Sequence, residues 1–479
     1  MTSIRRVGLA RVMATAGALA GGCSTGALSA VAQSLPASPA SSTEKPGEED
    51  TAPDKDESGL LVTASVRMRY ETIDGRPASG FATSEDAFLI RTGVAVEYGP
   101  GPLTVGAELV DSRGYGVGRN TQLDNTDINA LELPQAYFKL QVRDRAGPFG
   151  KVALQGGRFL LNQGSGRLVA TDEYRNTVTG FTGLRLDLQP DAKTDVTLFY
   201  VLPQERLPSG EADIRHNVVR FDRESFGQVF FGADVRRTGM MGAGQLELAY
   251  YRLAEHDSPG RATADRRLHT IDARFSREAK DGVYDFDIEG AYQLGRASDT
   301  TMERAVSNDV AAGFFHAAAG YSFGGALKPR IGVVYDYASG NGRNGTYHRF
   351  DTLFGSRRDD FGPSGSYAAL ARENISAPGI RFEAKPGTRF EALADYRGVW
   401  LASRYDRFYN VIDRSGNSGR FAGHQVEGRL RYWLVPEHLR LESNFALLFK
   451  GHFLKNAPEA LARDQSTVKF IETNLQVTF

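Results

Sequence analysis

Arginine is the residue type in this sequence best placed to do chemistry. Of its 57 basic residues, 46 are arginine. A planar guanidinium grips a carboxylate through two parallel hydrogen bonds, whereas lysine offers only a point charge. The arginines also recur at a telling spacing. In LLVTASVRMRY, Arg67 and Arg69 alternate with Val66, Met68 and Tyr70. In HQVEGRLRYWL, Arg429 and Arg431 alternate with Val426, Leu430 and Tyr432. A two-residue period puts such arginines on one face of a strand and the apolar residues on the other. Applied along the chain, the same reading gives a polar face bearing Arg67, Arg69, Arg91, Arg185, Arg389, Arg397, Arg429, Arg431 and Arg440, with Asp285, Asp287 and Glu289 among its acids. The expectation is a basic wall opposite a more acidic one, a transverse field that orients charged solutes in a pore. The competing reading is a set of cross-strand salt-bridge ladders that brace the wall.

Other reactive patterns are weak. Gly320-Tyr321-Ser322-Phe323-Gly324 matches Gly-x-Ser-x-Gly, but a nucleophile elbow needs a strand-to-helix turn, and this match ends a strand and runs into a short turn at Gly325. The eight histidines show no His-x-x-x-His spacing, which argues against a metal site. Asp124 to Asn129 (DNTDIN) clusters oxygens that could hold calcium, and a solvated loop is the competing reading. Neither catalysis nor a cofactor is expected.

The elements that must position these arginines are short and numerous. About eighteen alternating segments start near residues 59, 85, 102, 132, 150, 181, 193, 226, 243, 267, 282, 310, 327, 374, 388, 421, 438 and 467. Short connections with turn residues (GPG at 99–101, KPGT at 385–388, VPEH at 435–438) interleave with long polar ones such as 162–180, 339–373 and 401–420. Short turns on one side and long loops on the other are the layout of a transmembrane antiparallel up-and-down β-barrel. The fold class expected is therefore all-β, with about 18 strands and an apolar face toward lipid. Tyr70, Tyr98, Tyr337, Trp400, Trp433 and Phe479 sit at segment ends, where an interfacial girdle would place them. Beyond the first ~35 residues no apolar run reaches the ~18 residues that a membrane helix needs. A net charge of −1 argues against a nucleic-acid partner.

The start of the chain reads as export machinery. Arg5, Arg6 and Arg11 precede an Ala/Gly/Leu-rich run, and Ala30-Val31-Ala32 offers a cleavage site, so residues 1–32 are expected to be a signal peptide. A rival reading lipidates Cys23 in Leu19-Ala20-Gly21-Gly22-Cys23. Residues 33–58 are Ser, Pro and Ala and then Glu/Asp, too poor in apolar residues to form a core, and carry seven acids and two lysines between Glu44 and Glu57. They are expected to be a disordered acidic periplasmic tether. Residues 59–479 form the barrel.

Two segments carry a resemblance. One is GGRFLLNQGSGRLVATDEYRNTVTGFTGLRL, with Arg158, Arg167, Leu168, Arg175, Asn176, Thr177, Phe181 and Arg185. The other is YDYASGNGRNGTYHRFDTLFG, with Asp336, Ser339, Gly340, Phe350, Asp351, Leu353 and Phe354. Together they resemble the alginate export porin family over most of residues 59–479. The resemblance implies an eighteen-stranded outer-membrane barrel of a Gram-negative bacterium. It also implies passive passage of an anionic polysaccharide or other small charged solute, and a monomer surrounded by outer-membrane lipid. Many members of the family have no assigned substrate. Asn341 stands where the family usually has Asp, which weakens any loop cation site there. Alternation through Val152 and Leu154 would turn Arg158 toward lipid. The resemblance instead puts Arg158 in the pore, with Gly156-Gly157 kinking the strand.

Overall fold

A computed structural model describes residues 59–142, 149–258, 261–298, 300–302, 305–343 and 347–479. The expected signal peptide and tether lie outside the described residues. Eighteen strands form one sheet: β1 (Leu60–Asp74), β2 (Ser84–Tyr98), β3 (Leu103–Tyr115), β4 (Asn129–Val142), β5 (Lys151–Leu160), β6 (Gly180–Asp191), β7 (Thr194–Pro203), β8 (Gln228–Met240), β9 (Gly244–Glu255), β10 (Arg267–Arg277), β11 (Tyr284–Ser298), β12 (Ser307–Ser322), β13 (Arg330–Ala338), β14 (Ile375–Ala384), β15 (Phe390–Trp400), β16 (Phe421–Val435), β17 (Leu439–Lys450) and β18 (Thr467–Thr478). Each strand pairs antiparallel with its neighbours in sequence, and β1 also pairs with β18, which closes the barrel. Closure matters because a strand edge in hydrocarbon would leave backbone N–H and C=O groups unpaired.

The terminal residue takes part in that seam. The Phe479 N–H donates to the Ala64 carbonyl at 2.8 Å, while Val477 and Leu475 lie opposite Val66 and Met68. Burial runs inside-out relative to a soluble protein. Ile271, Ile380 and Ile471 are 59, 58 and 56% exposed, whereas Arg69, Glu71, Arg397 and Glu472 are 1% or less. Apolar side chains dominate the outward face and most charged strand residues face the lumen, as a lipid-exposed barrel requires. Trp433 departs from the expected girdle. It pairs with Arg440 in register and so shares the inward face of Arg431, with the Arg440 guanidinium 6.0 Å from its ring centre.

Among the described residues three short helices sit in the long connections: α1 (Glu211–Arg215), α2 (Arg358–Phe361) and α3 (His452–Asn456). The long connections all leave from the end of the barrel opposite Gly59. Two of them, 161–179 and 339–374, turn back into the lumen and determine its character.

Candidate functional site: a charged lumen crossed by two loops

Strand order sets the electrostatics of the lumen. In a closed ring of eighteen, β9 and β10 lie nine positions from β18 and β1, which is the opposite wall. Arg67, Arg69, Arg91, Arg429, Arg431 and Arg440 project from β1, β2, β16 and β17. Asp272, Asp285, Asp287 and Glu289 project from β10 and β11. Register keeps each set together: Arg67 faces Arg91 and Gln476, and Glu442 lies between Arg431 and Asn474.

Loop 161–179 spans these two walls with its own polarity matched to them. At the basic wall it offers carbonyl oxygens. Arg67 donates to the Glu173 carbonyl at 2.9 Å and also to that of Arg175, and Arg69 donates to the Tyr174 carbonyl at 2.5 Å. Arg91 pairs with the Glu173 carboxylate at 3.3 Å, and the Tyr174 hydroxyl donates to Glu472. At the acidic wall the loop offers a cation. Arg167 donates to Glu289 at 2.6 Å and to Asp287 at 3.1 Å.

Loop 339–374 completes a septum. Its backbone pairs in parallel with the first loop: the Ala170 N–H donates to the Phe354 carbonyl, and the Phe354 N–H to that of Leu168, both at 3.0 Å. Gly355 makes this approach possible, since a Cβ there would lie 1.8 Å from the Arg167 carbonyl oxygen. Phe354 packs against Phe181 and Phe230, with ring centres 5.2 and 4.9 Å apart. In α2, Arg358 pairs with Glu427 at 2.6 Å, and Asp360 receives a two-point contact from Arg167 at 2.9 and 3.1 Å. Burial alone would raise the Asp360 carboxyl. Arg167 and Arg372 overcome it and hold the group well below the usual carboxylate range. Farther along, Tyr367 donates to Gln425 at 2.8 Å.

Beside this junction, His316, Asp336 and Asp360 bring ligand-type atoms within 4.8 Å of one another, a spacing that could hold a metal ion. The donor set argues otherwise. Arg397 pairs with Asp336 at 2.5 Å, Arg372 pairs with Asp360, and Arg167 contacts both Asp360 and His316 Nε2. A cation entering there would meet three guanidinium groups, so the cluster reads as an ion-pair hub joining both loops to the wall. In the Asp124–Asn129 cluster some groups are engaged, while Asp127 Oδ1 and Asn129 Oδ1 are buried without a hydrogen-bond partner among the described residues. Asp124 accepts from the Thr126 N–H at 2.7 Å and from its hydroxyl at 2.6 Å, and Asn129 donates to Asp222 at 2.9 Å.

The remaining residues expected from sequence divide clearly. Arg431 pairs with Glu442 at 2.6 Å and Glu391 at 3.5 Å; Arg440 reaches Gln476 at 2.8 Å. Arg397 is fully buried between Asp336 and Asp395. Arg185 pairs with Asp187, and Asp285 with Arg330. Arg429 makes no hydrogen bond or ion pair among the described residues, although Glu442, Arg431 and Arg358 are near. Arg389 lies outside the strands, exposed in the short turn 385–389. Arg158 is corrected from lumen to outer face. The β4–β5–β6 register runs unbroken through Gly156 and Gly157, and Arg158 lies opposite Ala136 and Thr182, on the face of the exposed Leu184. Gly157 takes φ +113° without shifting the period. Arg158 stays charged there because Glu132 and Glu224, at 2.9 and 2.7 Å, neutralise it beneath loop 204–227. Sequence reasoning did not single out Arg358, Asp360, Arg372 or His316 for the site. The only available signal was that charged residues crowd the second family-like segment and the loop that follows it.

Comparisons with known proteins agree with this architecture. No curated protein sequence matches the chain. Among solved structures, Pseudomonas aeruginosa OccK8 (OprE) is similar at 10% identity, covering 88% of this chain and 98% of that one, with a TM-score of 0.56. Pseudomonas aeruginosa OpdK with vanillate is similar at 12% identity, covering 87% and 98%, with a TM-score of 0.54. Acinetobacter baumannii OccAB1 is similar at 13% identity, covering 89% and 99%, with a TM-score of 0.56. At such identities the likeness is one of fold. The alginate export family matches residues 60–468, nearly the whole barrel. An inside-out, eighteen-stranded barrel with an arginine-rich lumen thus has its relatives, and the chain belongs to the alginate export family.

Proposed function

We propose that the protein is a channel of the Gram-negative outer membrane for passive passage of an anionic solute, either an acidic polysaccharide or a smaller carboxylate. One observation carries the anionic preference. Arg429 presents a guanidinium in the lumen with no partner among the described residues, beside Arg431 and Arg440 and across from the acidic wall. Arg429 is 7% exposed; a charged group without a partner at such a wall attracts the opposite charge, and guanidinium fits carboxylate best. Arg67, Arg69 and Arg91 serve the same path indirectly by fixing the loop that narrows it. Flux follows the gradient, and no energy-coupling motif is in view. The protein acts as a monomer in lipid, without a cofactor or enzymatic step.

Liposome swelling tests this reading. Faster swelling with a carboxylate-bearing sugar or vanillate than with a neutral solute of equal size supports it, and OpdK's structure with vanillate makes a small carboxylate the first probe. Equal rates would favour a non-selective diffusion porin. A second reading, a loop-plugged barrel with a structural role, has its own support in the septum, which is bonded to both walls. No swelling with any solute would favour it.

A further inference from the structure

Part of loop 204–227, between β7 and β8, lies over the lipid side of the wall rather than over the pore. Two outward-facing side chains show this. Arg158, on the face of the exposed Leu184, donates to the Asp222 carbonyl at 3.0 Å and pairs with Glu224 at 2.7 Å. Thr182, opposite Arg158 in register, donates to the same Glu224 at 2.5 Å. Residues 222–224 therefore run along the outside of β5 and β6. The segment is fastened there from within. Asp222 is buried; its carboxylate accepts from Asn129 at 2.9 Å and from the Leu207 N–H at 2.8 Å, and its own N–H donates to Glu132 at 2.5 Å. The side chains on either side of an inward-turned residue in extended backbone point away from it. Phe221 and Arg223 flank Asp222 in this way and both are exposed, Phe221 by 55%. Val219 and Phe226, nearby in the chain, are 47 and 73% exposed.

The wall beneath says what this surface meets. Phe138, Leu184, Tyr200 and Phe231 form the exposed apolar band of β4 to β8, and the Arg158–Glu132–Glu224 cluster interrupts it near the long-loop end. Ionised groups beside hydrocarbon are costly. The loop overlies that cluster and carries Phe221 on its far side, so the apolar band continues across the break. The loop's own charges are paired within it, Arg223 with Glu205 at 2.9 Å and Arg220 with Asp213 at 3.7 Å. The chemistry left for a partner is apolar, with arginine and aromatic groups mixed as at a membrane interface.

We propose that loop 204–227 is a lipid-docking element that sets Val219 and Phe221 into the acyl-chain boundary of the surrounding leaflet, beside the charged cluster it covers. This rests on a barrel embedded in lipid and is independent of what the lumen passes. Tryptophan fluorescence tests it in the full chain refolded into phosphatidylcholine vesicles. Phe221→Trp places a reporter on the loop. Ile271→Trp, on the outward face of β10, gives the response of a wall residue. The emission each adds to that of Trp400 and Trp433 is compared in ordinary lipid, in lipid brominated on its acyl chains, and with iodide in the water. A side chain in the acyl boundary meets bromine and is shielded from iodide. Brominated lipid should therefore cut the Phe221→Trp increment about twofold, iodide should leave it nearly unchanged, and Val219→Trp should repeat the pattern. Quenching by iodide and not by brominated lipid would put the loop in water and overturn the proposal. Quenching by neither would put it against protein, a second copy of this chain included, and overturn it equally. If Ile271→Trp also escapes brominated lipid, the wall itself is not in lipid, and the proposal falls together with the lipid-embedded barrel.

Discussion

Replacing Arg167 by alanine removes the side chain that joins loop 161–179 to the acidic wall and to loop 339–374 at once. The guanidinium lies within 3.1 Å of Asp287, Glu289 and Asp360, and only 8% of the side chain is exposed. Removing one partner of a buried ion pair typically costs about 3–5 kcal/mol, because the other charge is left uncompensated. Here the carboxylates keep other cations: Arg274 lies 2.7 Å from Asp287, and Arg372 contacts Asp360. The lower end, about 3 kcal/mol, is therefore the expected loss. At about 1.4 kcal/mol per tenfold, the open fraction of the septum rises on the order of 100-fold. The barrel is expected to stay folded, since its strand ladders do not depend on the loop. Single-channel recording reads the effect as frequent openings to a larger conductance level. Arg167→Lys should fall between, keeping the charge but losing the two-point contact with Asp360. If Arg167→Ala barrels, folded as judged by heat-modifiable gel mobility, give records indistinguishable from the parent, then the ion-pair hub does not hold the septum.

Three further outcomes are expected. Gly355→Ala should open the septum without touching any charge, because a methyl group there meets the Arg167 carbonyl at 1.8 Å; its records should resemble those of Arg167→Ala. Replacing Arg429 and Arg431 together by glutamine should lower the anion-to-cation permeability ratio several-fold in bilayer measurements, and an unchanged ratio would reject a guiding role for these residues. Asp222, in loop 204–227, is pushed up to about 7 by burial and by neighbouring Glu132. A carboxyl whose folded value exceeds its unfolded value of about 4 binds its proton more tightly when folded, so the loop is more stable as pH falls from 8 toward 5. Limited proteolysis of that loop should slow over this range, and Asp222→Asn should flatten the dependence.

The barrel was legible because its code is local. A two-residue period with turn chemistry at regular intervals placed all eighteen strands, the closing one near residue 467 among them. The lumen was less legible, because its occupants come from loops that carry no period. Arg67 and Arg69 have the same local pattern as Arg429, yet the first two are engaged by carbonyls of loop 161–179 and the third is not. No spacing rule separates them, since the difference lies some 100 residues away. Arg389 was misplaced by one residue at a strand end, where alternation fades into the turn. For Arg158, plain alternation from Val152 and Leu154 gave the face that the register adopts; the flexible Gly156-Gly157 pair only made a kink plausible. Trp433 was read as girdle because it ends a strand, but its face follows from its parity with Arg431.

Passage of ions through the lumen with a preference for anions is what the lumen arginines are proposed to provide. Its most direct test is the reversal potential of the refolded protein in a planar bilayer under a salt gradient. A stable current is expected, with its reversal potential displaced toward the chloride equilibrium value. A displacement toward the cation value, or no current from folded barrels, would contradict it.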